Sequence, residues 1–465
     1  MQGFATQAIV RAQATEPVQR IMLWRIFITA LVLRWAYAIL MFALMGDAGL
    51  ESLDSTTYLF YAQEFAGQIG SHSLSGWQWL GPVGDTMPLS QWLFSLCVLA
   101  FGTSAALAYT LLQGLLDAGT CLLVYGTAGI LDERYAAPAG IASAFNPTQI
   151  VLSGFVLTDT PFLFFSALFL FAAVHWLRAP SRHYAALLGL ALGAAAMTRA
   201  LAVPFAAVLL VFLLVALLIR RLLSISLIAQ LIGAAAIFLL CIAPPLWRNV
   251  SQFGAWSLTP QSGIHLALWI APLVKEAADG TPWARSYDEM QHRVDERYKT
   301  PTADPFEQSR RYREVAREEL AALGIRAFAK AWLTGAAINL GSPAIILSPP
   351  IFQLPRTGFY ATPGASPLDK VKNFLFHSDN STYAWILLIG IAGVMALRLV
   401  QFIGLVALLR QGGHLSVLCL FGLWTAYVLS INGPVASPKY RLPIEPPLMV
   451  LAGAGLSMLL RRRPA

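Results

Sequence analysis

The sequence predicts an all-α protein that crosses a membrane about ten times, and three observations carry that prediction. Hydrophobic residues make up 57% of the 465 positions and charged residues only 12%, roughly half the charged share of an ordinary soluble domain. The apolar residues fall in blocks close to the roughly 20 residues that a helix needs to cross a bilayer. Arginines gather at alternate ends of these blocks, which is how membrane chains encode their orientation.

Taken in order, the spanning helices are expected near 22–45, 105–128, 136–157, 161–177, 184–200, 201–219, 224–246, 383–409, 414–431 and 443–460. The N-terminal apolar run is too long for a cleavable signal and no small-residue cleavage pattern follows it, so it reads as a retained first helix. The softest boundary is at 200/201, where Arg199 and Pro204 interrupt a continuous apolar run. Arg11 and Arg20, Arg134, Arg178 and Arg182, Arg220 and Arg221, Arg410 and Arg461–Arg463 then all fall on one side, with both termini. That side is expected to be the cytoplasm. The net charge of +8 is accounted for by this pattern, and no nucleic-acid partner is expected.

The whole chain, 1–465, reads as a single membrane domain with two large periplasmic loops, 46–104 and 247–382. Two further apolar stretches, 88–101 and 326–347, do not fit the alternation and are expected as interfacial helices in the first and fourth periplasmic loops. Between 304 and 324 an amphipathic helix is signalled by Asp304 as N-cap, Pro305 in the first turn, Glu307 as its capping partner and Gly324 as its end. Its charges read as a solvated face. Cys97, Cys121, Cys241 and Cys419 are scattered through apolar segments without ligand spacing, and read as small packing residues.

Polar residues converge on the periplasmic side of this scheme. They are Asp54 and Asp85 in the first loop, Asp159 at a helix turn, Arg248 and Asn249 after the seventh span, and Lys439, Tyr440 and Arg441 before the last. Acids and bases drawn to one bilayer surface from distant segments suit a pocket for a charged substrate. A carboxylate can take a proton from an attacking hydroxyl, and Arg or Lys can hold a phosphate. Each residue also has a plainer reading. Asp54 suits a hydrated loop, and Asp159 suits the cap of the helix that follows in "TDTP". Arg248, Asn249, Lys439 and Arg441 suit headgroup anchors, and Arg199 a snorkelling cation or a pocket contact. His72 and His265 read as loop residues, since neither has a second ligand at metal spacing.

Five stretches also carry a resemblance: "DSTTY", "DTMPLSQWLFSLCVLAFG", "FVLTDTPFLFFSALFLF", "APPLWRNVSQFGAWSLTPQSG" and "KYRLPIEPPLMVLAG". In this order they resemble the GT-C-fold glycosyltransferases of the bacterial branch related to protein O-mannosyltransferases and lipid A aminoarabinose transferases. The resemblance implies an inverting transferase of the bacterial inner membrane that uses a polyprenyl-phosphate-linked sugar as donor and a hydroxyl on a glycan, lipid or protein as acceptor. It implies Asp54 as the base and Tyr58 shaping its surroundings, with basic residues at the lipid phosphate. Some GT-C enzymes use a divalent cation and others do not, and no ligand cluster in the sequence chooses between them. Where the aminoarabinose branch carries a Lys before the interfacial Pro, this chain reads Asp85-Thr86-Met87-Pro88, so Asp85 is expected as a second pocket acid. The competing classes are a transporter or lipid-linked glycan flippase, which would place ionisable groups at the bilayer midplane on broken helices, and a non-catalytic envelope subunit.

Overall fold

The computed structural model describes residues 2–460 apart from 73, 356–361 and 377–380; of 2–18 and 367 it describes the backbone alone. Arg461–Arg463 lie outside the described residues. The chain runs as α1 (Gln2–Met45), α2 (Ser55–Gly70), α3 (Pro88–Phe101), α4 (Ala105–Leu131), α5 (Glu133–Ala144), α6 (Pro147–Ser153), α7 (Asp159–Arg178), α8 (Arg182–Thr198), α9 (Ala202–Ile219) and α10 (Ile225–Phe253). It continues as α11 (Gln261–His265), α12 (Ala271–Asp279), α13 (Trp283–Arg297), α14 (Pro305–Gly341), α15 (Pro349–Phe352), α16 (Pro367–Phe376), α17 (Ser381–Gln411), α18 (Leu415–Asn432) and α19 (Glu445–Leu459). Among the described residues there is no strand.

Every expected crossing has a helical counterpart, with instructive differences. Eight segments are long and apolar enough to cross a membrane by length and composition, α3 and α4 counting as one run. The remaining two expected crossings are the 17-residue α8 and the α5–α6 pair. The expected helix over 136–157 is broken because Asn146 caps a new helix, accepting from Thr148 N at 2.9 Å, and Pro147 cannot continue the old one. It also ends at Ser153, so 154–158 approaches α7 in non-helical form. Asp304 caps α14 as expected, accepting from Phe306 N and Glu307 N. Gly324 ends the amphipathic part of α14 as expected: its backbone is non-helical, with φ 77°, and a second helical part follows at once to Gly341, within the interfacial segment expected at 326–347. The α2 helix in the first loop was not foreseen.

Between α3 and α4 the chain turns a corner at Gly102–Ser104, where Gly102 adopts φ 54°. In hydrocarbon, helix association depends on close packing of small residues rather than on expulsion of water. A Cβ on Gly404 would lie 1.9 Å from Leu451 O, and one on Gly455 2.0 Å from Val400 O, so α17 and α19 meet through backbone. The main core is centred on Trp424, Phe205 and Phe169, with Trp424 donating to Pro443 O at 2.8 Å.

The bundle has two chemically different ends. At one, Arg178 meets His414, Arg220 donates to Leu177 O, and Tyr135 and Asp132 meet Gln411. The helix directions put Asp54, Asp159, Arg199 and Lys439 at the other. A helix break in the bundle interior is wrapped by buried polar groups. Arg34 pairs with Asp117 at 2.8 Å and donates to Ala144 O, at the end of α5, and to Ser143 O, which also accepts from Asn146 N, while Gln149 completes Asp117 at 2.7 Å.

Candidate functional site

Short-range chemistry places Asp54. Val156 N donates to Leu50 O at 2.8 Å, and Ser55 Oγ returns a bond to Val156 O at 2.8 Å. These two bonds stitch the start of α2 to the non-helical segment that leads into Asp159. Gly49 permits the approach, since a Cβ there would lie 2.3 Å from Met41 O. Asp54 is the N-cap of α2 but makes no side-chain capping bond; its carboxylate forms an ion pair with Lys439 instead.

Lys439 is delivered by a 3₁₀ turn, Pro438–Ile444, entered through Ser437. Asn339 near the end of α14 fixes that entry, donating to Val435 O at 3.1 Å and accepting from Ser437 N at 2.8 Å. Asp159 opens α7 and pairs with Arg199, the residue at the break between α8 and α9. The capping alternative for Asp159 is therefore not what the structure shows, because one oxygen is on Arg199 and the other has no hydrogen-bond partner. Tyr58, one turn after Asp54, lies among both pairs, and Tyr440 lies beside Lys439, whose ammonium is 5.1 Å from the ring. Enclosure pushes the Tyr58 phenol up to about 12, against the pull of Arg199 and Lys439.

Asp85 occupies the rim. Four elements hold its loop: Arg248 donates to Gly81 O at 2.7 Å, Gln91 to Pro82 O at 3.0 Å and to Thr86 Oγ1 at 2.6 Å, Thr259 to Gly84 O at 3.2 Å, and Tyr61 packs over Gly84. Gly81 has φ 78°, and a Cβ on Gly84 would lie 2.1 Å from the Tyr61 hydroxyl oxygen, so both glycines are required there. Asp85 is solvent-exposed, yet its surroundings and the negative charge of Asp54 raise its carboxyl above the ordinary 3.8. A void with room for about one water lies beneath Tyr58, lined also by Thr86, Ser90, Gln91, Tyr109 and Thr158.

Asp54, Tyr58, Asp159, Lys439 and Tyr440 thus come together, and Asp85 faces them from the rim. Arg248 and Asn249 are wall residues: Arg248 holds Gly81 and also donates to Asn249, which donates to Ser257 O at 2.8 Å. Arg441 does not join the site. It is 1% exposed and points into the bundle, where it meets Glu445 at 2.6 Å, Thr148 at 2.7 Å and the carbonyls of Asn339, Leu340 and Ser342. Buried among these partners and away from the mouth, this guanidinium is not placed to meet a phosphate, which corrects its expected substrate-binding role.

His265, read from the sequence as a loop residue, stands at the site. It ends α11, just before a π turn at Leu266–Ile270. Enclosure, with Arg199 and Lys439 adding to it, pulls the imidazole from 6.5 down to about 4, while Asp54 works the other way. No pattern around a solitary histidine could have announced this. Arg199 was legible as a cation at a helix break, though not its partner. Between about pH 6.5 and 4 the unfolded chain binds a proton that folded His265 refuses, so stability should fall as pH drops through that window. Thermal melts of His265→Gln should show a flatter pH dependence there; an unaltered slope would place the imidazole in open solvent.

Among the described residues, no three His, Cys, Asp or Glu side chains converge as metal ligands. Of the site's acids, Asp54 is on Lys439 and Asp159 on Arg199.

Residues 85–247, well under half of the chain, match the family described as dolichyl-phosphate-mannose-protein mannosyltransferase. The matched stretch includes Asp85, Asp159 and Arg199 but neither Asp54 nor Lys439. No curated protein matches the sequence. Among solved structures, the apo oligosaccharyltransferase of Archaeoglobus fulgidus superposes with a TM-score of 0.52 at 15% identity, over 94% of this chain and 50% of that one. The same organism's AglB, in complex with an inhibitory peptide and a dolichol-phosphate, gives 0.50 at 15% identity with the same coverages. ArnT from Cupriavidus metallidurans bound to undecaprenyl phosphate gives 0.39 at 16% identity, over 92% and 77%. The chain therefore spans about half the length of the archaeal oligosaccharyltransferase, and at these identities the likeness is one of fold, the GT-C membrane architecture.

Proposed function

We propose, from the GT-C fold and the site it carries, that this chain is an inverting glycosyltransferase. It moves a sugar from a polyprenyl-phosphate-linked donor to a hydroxyl on an envelope glycan, lipid or protein. The observation that carries this reading is the meeting of Asp54–Lys439 and Asp159–Arg199 at one end of an apolar bundle. Acids and cations are both needed there. An alcohol is a poor nucleophile near neutral pH and gains from a carboxylate that takes its proton. A departing phosphate gathers negative charge as the glycosidic bond breaks and gains from fixed cations.

In this reading Asp54 is the base, and Lys439 with Arg199 receives the phosphate. Tyr58, Tyr440 and neutral His265 offer hydrogen bonds to the sugar. Asp85 faces the sugar or acceptor from the rim, and Arg248, through Gly81, positions that rim. The polyprenyl tail lies against lipid-facing helices. The site faces the periplasm, the basic end the cytoplasm, and the membrane is the bacterial inner membrane. This side assignment rests on the arginines collected at one bundle end.

One feature favours a transporter: the broken α5–α6 pair with Arg34 and Asp117 buried inside the bundle. Arg34, however, spends its donors on Asp117, Ala30 O, Ser143 O, Ala144 O and Cys121, which suits a fixed brace better than a moving ion site.

The purified chain in lipid nanodiscs, given polyprenyl-phosphate sugars and envelope extract, should release polyprenyl phosphate and leave the sugar on a hydroxyl. A cysteine introduced within 272–325 should be labelled in intact spheroplasts. Absence of transfer with every donor sugar tried, together with envelope glycans unaltered in a deletion strain by mass spectrometry, would overturn the enzymatic reading. Labelling confined to permeabilised cells would reverse the orientation.

A further inference from the structure

Both cations at the site are already on acids. Lys439 holds Asp54 and Arg199 holds Asp159, while Asp85, the third acid, has no ion-pair partner among the described residues. With His265 held neutral near pH 7, the site as it stands carries a net negative charge. The remaining cation, Arg248, is buried in the wall on Gly81 O and Asn249, so an arriving phosphate must draw a cation from a carboxylate.

The two pairs are not equally able to yield. Both acids stand at helix starts without a capping bond, but the Asp159 side chain is 3% exposed and the Asp54 side chain 38%, so the Asp54 pair is the more open to an arriving group. Lys439 is the compact cation on a long stem, with the Tyr440 ring beside it as a second resting place. The groups facing Asp54 are Lys439 and Tyr440 from the 3₁₀ turn, Tyr58 from α2, the Asp159–Arg199 pair from α7 and the α8–α9 break, His265 from α11, and Asp85 from the rim. If Lys439 leaves, the uncompensated charge of Asp54 faces Asp85, and that like charge favours protonation of the rim acid Asp85, whose carboxyl Asp54 already raises, while Asp54 stays free.

We propose that Lys439 is an exchangeable partner: the donor's phosphate draws it away from Asp54, so that the carboxylate becomes free to take the acceptor's proton only when a donor is in place. The proposal rests on the glycosyltransferase reading and adds an order to it, donor before acceptor. In the transfer itself the acceptor O–H proton passes to Asp54, and the acceptor oxygen bonds the anomeric carbon. The bond from that carbon to the phosphate oxygen breaks, and its electron pair leaves with polyprenyl phosphate, paired with Lys439. When the product departs, Lys439 returns to Asp54 and the proton is released to water.

The test uses undecaprenyl phosphate as probe and the full chain in nanodiscs, with calorimetric titrations at pH 5 to 7 in buffers of different ionisation enthalpy. The wild-type chain should take up protons on binding, beyond the uptake due to the probe's own phosphate. Asp54→Asn should remove that excess and bind the probe about threefold more tightly, because Lys439 no longer has a competing carboxylate. Lys439→Gln should bind more weakly and show no excess uptake. A merely structural role for Asp54 would weaken binding in Asp54→Asn, the opposite sign. Proton uptake identical in wild type and Asp54→Asn, or probe affinity in Asp54→Asn equal to or below wild type, overturns the exchange alone. A wild-type chain that does not bind the probe overturns the glycosyltransferase reading, and the exchange with it.

Discussion

Replacing Asp54 by Asn should lower turnover by about a hundredfold to ten-thousandfold, the span usual for loss of a positioned general base, while the protein remains folded in the membrane. The structure explains why the two effects separate. Asp54 begins α2 without capping it through its side chain, so an amide at this position costs the helix no hydrogen bond. The stitching of α2 to the Asp159 segment runs through Ser55, Leu50 and Val156, which the substitution leaves alone. The ion pair lost with Lys439 is partly exposed, and such pairs contribute little to stability. Turnover by single-mixing assay, with a thermal melt on the same preparation, checks both halves. A variant with wild-type turnover would remove Asp54 from the chemistry, and one that fails to fold would make it structural.

Two residues beyond Lys439, the expected result reverses. Arg441→Ala should destabilise the protein by about 3–5 kcal/mol, the usual cost of stripping one partner from a buried ion pair. It would leave Glu445 without its nearest cation and three carbonyls at the end of α14 without their donor. Arg398, with its guanidinium 3.8 Å from Glu445, would remain as the longer of its two ion pairs, but it does not reach the carbonyls of Asn339 and Ser342 in place of Arg441. Folded yield and melting temperature should fall sharply, and whatever protein survives should keep its donor KM. A stable Arg441→Ala protein with a raised donor KM would mean that this guanidinium reaches the phosphate after all.

Much of the architecture was legible because it depends on local properties. Apolar block length, arginine placement and the Asp304–Pro305–Glu307 start of α14 each act within a few residues, and each has its counterpart in the structure. What local signals leave open is how the pieces join. Gly324 does interrupt the regular helix, as its signal says, but that a second helix follows at once depends on packing, with 327–331 against Val274 and Val435. Likewise Asn146-Pro147 is a helix start inside a stretch apolar enough to read as one span, and the interior break is tolerated because Arg34 and Asn146 N serve the carbonyls at the end of α5.

The site divides in the same way. That acids and cations would gather at one bundle end followed from helix count and direction. Which acid holds which cation did not, because Asp54 and Lys439 are 385 positions apart and no short-range rule relates them. His265 needed α11 to be seated on α14, where Gly263 N bonds Ser309 Oγ at 3.0 Å.

By itself the sequence determined that this is a helical membrane protein, roughly where its helices lie and which end carries the arginines, since bilayer thickness and the cost of bare backbone in hydrocarbon act on every segment separately. Only the tertiary structure decided between Lys439 and Arg441, two cations in one short signature. On a 3₁₀ turn of about three residues per turn, positions two apart point in different directions. Here one faces the carboxylate at the mouth and the other is locked into the bundle.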